Sequence, residues 1–115
     1  MGKCRENKKK PIRRGETVTV GKAESVPEGR GATVKLKDGT ELALFNVKGR
    51  FYAIENFCPH KSYPLADSRL LGHVVECNLH DWRFDIRTGE CFTKKDCSIE
   101  KYAVRIEDGW IKIEV

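Results

Sequence analysis

From Glu16 onward the apolar residues recur with period two rather than 3.6, interrupted by turn dipeptides at hairpin intervals. Alternation over residues 17–20 reads as a first strand. Runs over 32–37 and 41–46 flank Asp38-Gly39, a hairpin signal because glycine reaches positive φ at little steric cost. Lys48-Gly49 then leads into a run over 50–54, which makes a meander. The pattern breaks after Cys58 into a loop containing Pro59, Pro64 and Gly72, and resumes over 73–76 and 82–86. Residues 101–106 and 110–115 form a last hairpin around Asp108-Gly109. No window carries the i, i+3, i+4, i+7 stripe of an amphipathic helix. The fold class expected is all-β, with one long irregular insertion.

Length and charge set the boundaries. A chain of 115 residues makes one domain. Its net charge of +5 is unevenly spread: residues 1–14 carry Lys3, Arg5, Lys8, Lys9, Lys10, Arg13 and Arg14 against Glu6 alone, so the rest is close to neutral. The expected organisation is therefore a basic, solvated arm over 1–14 and a folded domain over 15–115. Such an arm suits an acidic docking face, and without interleaved aromatics it gives no support to nucleic-acid binding. No apolar run approaches the roughly 18 residues of a membrane span. The arm also lacks the apolar core of a secretory signal, and Glu6 stands where a myristoylation site wants Ser or Thr. The expected location is the cytoplasm. Five cysteines, at 4, 58, 77, 91 and 97, are then better candidates for metal ligation than for structural disulfides.

The chemistry concentrates in Cys58-Pro59-His60 and Cys77-Asn78-Leu79-His80, a C-x-H and a C-x-x-H. Each offers one thiolate and one imidazole just after a predicted strand, a donor set that suits zinc or an iron–sulfur cluster rather than a hard cation. These segments resemble the Rieske motif, and their context does too: Pro64-Leu65-Ala66-Asp67 follows the first, Trp82-Arg83-Phe84-Asp85 the second, then Thr88-Gly89-Glu90. The resemblance covers about residues 16–115. It implies a Rieske fold, with antiparallel sheets forming a base and two cluster-binding loops within about 56–92. It also implies a [2Fe-2S] cluster with Cys58 and Cys77 on the inner iron and His60 and His80 on the outer one. Neutral histidines leave that cluster less negative than an all-thiolate one, which makes reduction easier in a low-dielectric site.

Departures from the pattern narrow the class. Respiratory Rieske proteins carry an extra disulfide between the loops, where this chain has Tyr63 and Leu79, and a hydroxyl where it has Trp82. Fewer hydrogen bonds to the sulfurs stabilise the reduced cluster less. The expectation is a low-potential centre whose potential changes little with pH near neutrality; a steep slope at pH 7 in voltammetry would contradict it. Asp81 stands where many relatives have glycine. In that respect, and over Gly89-Glu90-Cys91 to Tyr102, the chain is similar to small subunits of assimilatory NAD(P)H nitrite reductases.

The resemblance implies a soluble Rieske-type ferredoxin. It would take one electron from a flavin-dependent reductase and pass it to a terminal oxygenase or reductase, with no small-molecule substrate of its own. A non-catalytic nitrite reductase subunit is the alternative, and a structural Cys2His2 zinc module a weaker one, since C-x-H is tight for zinc spacings. A self-sufficient oxygenase would need two more histidines for a mononuclear iron, and only His73 remains. His73 otherwise reads as a solvated strand-start residue, and Cys4 as incidental. Cys91 and Cys97 read as small buried hydrophobes, with a disulfide between them the lesser option. Trp82 and Tyr63 suit either a cover for the cluster or ordinary packing. Phe51, Tyr52, Phe84 and Trp110 read as core.

Overall fold

The computed structural model describes residues 15–57, 64–78, 82–93 and 97–115. Ten strands occupy them: β1 (Thr17–Lys22), β2 (Gly31–Lys35), β3 (Glu41–Val47), β4 (Arg50–Glu55), β5 (Arg69–Leu71), β6 (Val74–Glu76), β7 (Arg83–Asp85), β8 (Lys101–Tyr102), β9 (Val104–Glu107) and β10 (Trp110–Glu114). Short 3-10 turns at Ala23–Ser25 and Leu65–Asp67 are the only helical pieces among the described residues. None is long or apolar enough to cross a membrane. The arm over 1–14 lies outside the described residues.

All pairings between these strands are antiparallel, in three sheets of order β1-β10-β9, β2-β3-β4-β8 and β5-β6-β7. Lys48-Gly49 and Asp108-Gly109 join their hairpins with positive φ at both turn positions, as the two-residue turn that matches strand twist requires. β3 shows why ELALFNV is almost wholly apolar. Leu42 and Leu44 face a core shared with Ile111 and Ile113 of β10, while Ala43 and Phe45 face a second core with Val75 and Phe84 of β6 and β7. A strand buried on both faces cannot alternate with polar residues. Each fully buried Leu, Ile or Phe contributes about 1.5–3 kcal/mol.

The second core positions the site. It gathers Leu65, Ala66, Cys77, Trp82, Phe84, Cys91, Cys97 and Ile99 from segments far apart in sequence. Gly31 admits this arrangement, because a Cβ there would lie 2.6 Å from the Ala66 carbonyl oxygen.

Several expectations need correction. Trp110 is not core: it is 41% exposed, on the outward parity of β10, with Lys22 Nζ 5.4 Å from its ring. The cause is register, since Ile111 and Ile113 take the inward positions and Trp110 pairs across to Glu107 and Lys22. Phe51 and Tyr52 are only half-buried, whereas Phe84 is fully buried. His73 precedes β6 in a turn and stands edge-on to Tyr52, at 5.4 Å between ring centroids. Cys91 is a buried thiol, as expected, whereas Cys97 is buried but disulfide-bonded to a cysteine other than Cys91, so it is not a plain buried hydrophobe.

Candidate metal centre

Both motif loops are described at their bases. β4 runs into Asn56 and Phe57; Phe57 then bridges to Pro64, and the Leu65 N–H donates to the Asn56 carbonyl at 2.5 Å. Phe57 and Pro64, which flank residues 58–63, are therefore held side by side. The Asn56 side chain fixes that arrangement. Its Oδ1 accepts the Ala66 N–H at 2.9 Å and its Nδ2 donates to Glu41 Oε1 at 3.2 Å. Asn56 is 1% exposed, and a buried amide keeps its place only when both ends are satisfied.

The second loop is also closed at its base. Cys77 directly follows β6, and its N–H donates to the Trp82 carbonyl at 2.7 Å. Just outside that closure Glu76 and Arg83 are cross-strand neighbours whose side chains pair at 2.9 Å. With Arg83 largely exposed, this pair contributes at most about 1 kcal/mol. Beyond β7 the chain returns alongside it: Phe84 bridges to Cys91, and the Phe92 N–H donates to the Arg83 carbonyl at 2.8 Å. Trp82 is buried in the second core, so it serves there as packing.

Of the four expected ligands, Cys77 is within the described residues; Cys58, His60 and His80 lie outside them, as do Tyr63, Leu79 and Asp81. Cys77 is fully buried, carries no disulfide, and sits in an apolar cluster with Leu65 and Trp82. That setting fits a soft thiolate ligand at the protected end of an iron–sulfur cluster. Apolar walls keep water from the sulfur, and Cys77 is tied to Trp82 through its backbone N–H.

Sequence reasoning missed the residues that tie the loops together. Asn78 Nδ2 donates to the Asp67 carbonyl at 3.1 Å, Asn78 Oδ1 accepts the Arg69 N–H at 3.3 Å, and the Asn78 N–H donates to Ser68 Oγ at 3.4 Å. The available signals were an asparagine inside C-x-x-H and another just before the first motif, types that bond readily to nearby backbone.

One ion pair lies at the far end of the β5-β6-β7 sheet. Arg87 holds the nearly buried Asp85 by two hydrogen bonds of 3.0 Å. The Arg87 side-chain hydrogen bond is the main reason the Asp85 carboxyl lies below the usual range, against the opposing effect of burial. A lowered pKa means that its contribution is complete above the unfolded value near 3.9 and is lost as pH falls through the folded one. Asp85→Asn is therefore expected to destabilise the domain at pH 7, with the difference from wild type shrinking below about pH 4 in denaturant titrations.

A profile of the Rieske [2Fe-2S] domain matches residues 16–103. The chain belongs to the Rieske [2Fe-2S] family. It is 40% identical over 86 residues to the ferredoxin component of the naphthalene 1,2-dioxygenase/salicylate 5-hydroxylase systems of Ralstonia sp, covering 74% of this chain and 82% of that one. The Sphingomonas yanoikuyae B1 ferredoxin superposes with a TM-score of 0.78 at 32% identity, over 87% of this chain and 99% of the other. An NADH-dependent nitrite reductase small subunit from Mycobacterium tuberculosis superposes with a TM-score of 0.81 over 91% and 97%; at 23% identity that likeness is one of fold. Within the family the chain is thus a Rieske-type ferredoxin with a [2Fe-2S] centre, an electron carrier rather than an enzyme.

Proposed function

We propose that this ferredoxin carries single electrons from a flavin-dependent reductase to a terminal oxygenase, through a cluster held by Cys58, His60, Cys77 and His80. The observation that carries the ligand assignment is Cys77: a fully buried thiol at the mouth of a loop whose two ends are hydrogen-bonded to each other. The cluster supplies a one-electron couple when bound. The chain's residues supply the rest. Leu65, Trp82 and Phe84 exclude water behind Cys77, and Asn56 fixes the base of the loop that contains Cys58 and His60. We assign the cluster domain to residues 15–115, with the basic arm outside it, and place the protein in the cytoplasm.

The oxygenase as acceptor is supported by the identity to a dioxygenase ferredoxin component. The nitrite reductase alternative has the resemblance at Asp81 and over residues 89–102 and a likeness of fold behind it, and is the weaker reading. The two separate by experiment. Purified holoprotein, mixed with NADH, a flavin-dependent ferredoxin reductase and a Rieske oxygenase, is expected to behave as a monomer and to support substrate oxidation with salt-sensitive affinity. Failure to be reduced by such a reductase, with permanent retention on a large sirohaem-containing chain, would overturn the proposal.

A further inference from the structure

We infer that Asn78 is a positioning residue that holds the two ligand loops in fixed relation, by clasping the strap that leaves the first loop. The inference rests on the cluster reading above and goes beyond it by naming what sets the separation between the loops.

The β5–β6 ladder ends toward the site at the pair Arg69–Glu76. Beyond it the strap turns through the 3-10 segment Leu65–Asp67 and can no longer pair as a strand. The Asn78 carboxamide takes over. Its donor end meets the Asp67 carbonyl and its acceptor end meets the Arg69 N–H, so one planar group spans three residues of the strap. Ser68 completes the clasp: its hydroxyl accepts the Asn78 N–H and donates to the Pro64 carbonyl at 3.2 Å. Pro64 itself bridges to Phe57 at the base of the first loop. A continuous chain of hydrogen bonds therefore runs from the residue after Cys77 to the closing residues of the loop that contains Cys58 and His60. Among the described residues the Asn78 hydrogen bonds go to Asp67, Ser68 and Arg69, so it acts through its neighbours.

The amide chemistry is specific. In Asn78→Asp the carboxylate keeps an acceptor for the Arg69 N–H but turns a second oxygen on the Asp67 carbonyl. Asn78→Ala loses both contacts. Ser68→Ala cuts the link to Pro64. In the holoprotein all three are expected to release the cluster faster to a chelator, by about tenfold for Asn78→Ala and less for the other two, as loss of one or two modest hydrogen bonds implies. All three are also expected to broaden the EPR lines of the reduced protein, because the ligand loops sample more arrangements. Ile111→Val, in the core of the other sheets, is the control for general destabilisation and should change neither. If Asn78→Ala does not fold, Asn78→Asp and Ser68→Ala carry the test. Wild-type release rates and line widths in the folded variants would overturn the clasp. A wild-type protein that takes up no iron–sulfur cluster would instead overturn the functional reading beneath it.

Discussion

Cys77→Ser is expected to abolish stable cluster binding, whereas Cys91→Ser should keep the cluster and lose only stability. The two cysteines are matched controls: both are buried thiols without a disulfide, in the same apolar cluster. They differ in position. Cys77 opens the hydrogen-bonded loop, while Cys91 bridges to Phe84 on the strand beyond it. Serine is a harder donor that stays protonated at neutral pH and replaces a thiolate poorly on iron. At Cys91 the same change buries a hydroxyl, at a cost of about 1–3 kcal/mol. Visible absorption and iron content of the purified variants check both. Full colour in Cys77→Ser, or colour lost in both variants while they remain folded, would contradict the assignment of Cys77 as a ligand.

Gly89→Ala is expected to be the most destabilising single substitution in the β7 region, costing about 4 kcal/mol or more. Gly89 has φ +84, and a Cβ there would lie 2.0 Å from the Ile99 carbonyl oxygen. The Ile99 N–H also donates to the Gly89 carbonyl at 2.8 Å, so the two backbones are locked together. Neither can retreat without pulling Ile99 out of the core that holds Cys77. Gly39→Ala is the comparison. It also has positive φ, at +92, but open space around it, and should cost only about 1 kcal/mol. Small domains have about 5–15 kcal/mol in total, so chemical denaturation should separate the two variants clearly. Equal midpoints would show that the close approach to Ile99 costs nothing.

Much of the architecture was legible because period two and turn dipeptides are local. The hairpins at Lys48-Gly49 and Asp108-Gly109 needed only glycine's φ and flanking alternation. β5 went unread because Arg69–Leu71 is three residues long, lies in a stretch broken by Pro64 and Gly72, and is a strand only through pairing with β6. The run over 101–106 divides between two sheets, β8 pairing with β4 and β9 with β10, a partition made by tertiary pairing. Trp110 was misread by size, although the inward parity of Ile111 and Ile113 already pointed it outward. At the site, donor types and spacing singled out Cys58, His60, Cys77 and His80 as candidate ligands, and the Rieske resemblance assigned them to a cluster; Cys77 is the one that lies within the described residues. The supports were not legible: Asn56 reaches Glu41 and Ala66, and Asn78 reaches Asp67 and Arg69, contacts that exist only once the strands have assembled.

The most direct test of the account is an EPR spectrum of the dithionite-reduced protein, taken beside its visible absorption and metal content. A red-brown protein with two irons per chain and a rhombic signal of low average g is the predicted result. It would establish a two-iron cluster with mixed cysteine and histidine ligation. A colourless, EPR-silent protein holding one zinc per chain would contradict it, and electron transfer by this chain would have to be abandoned.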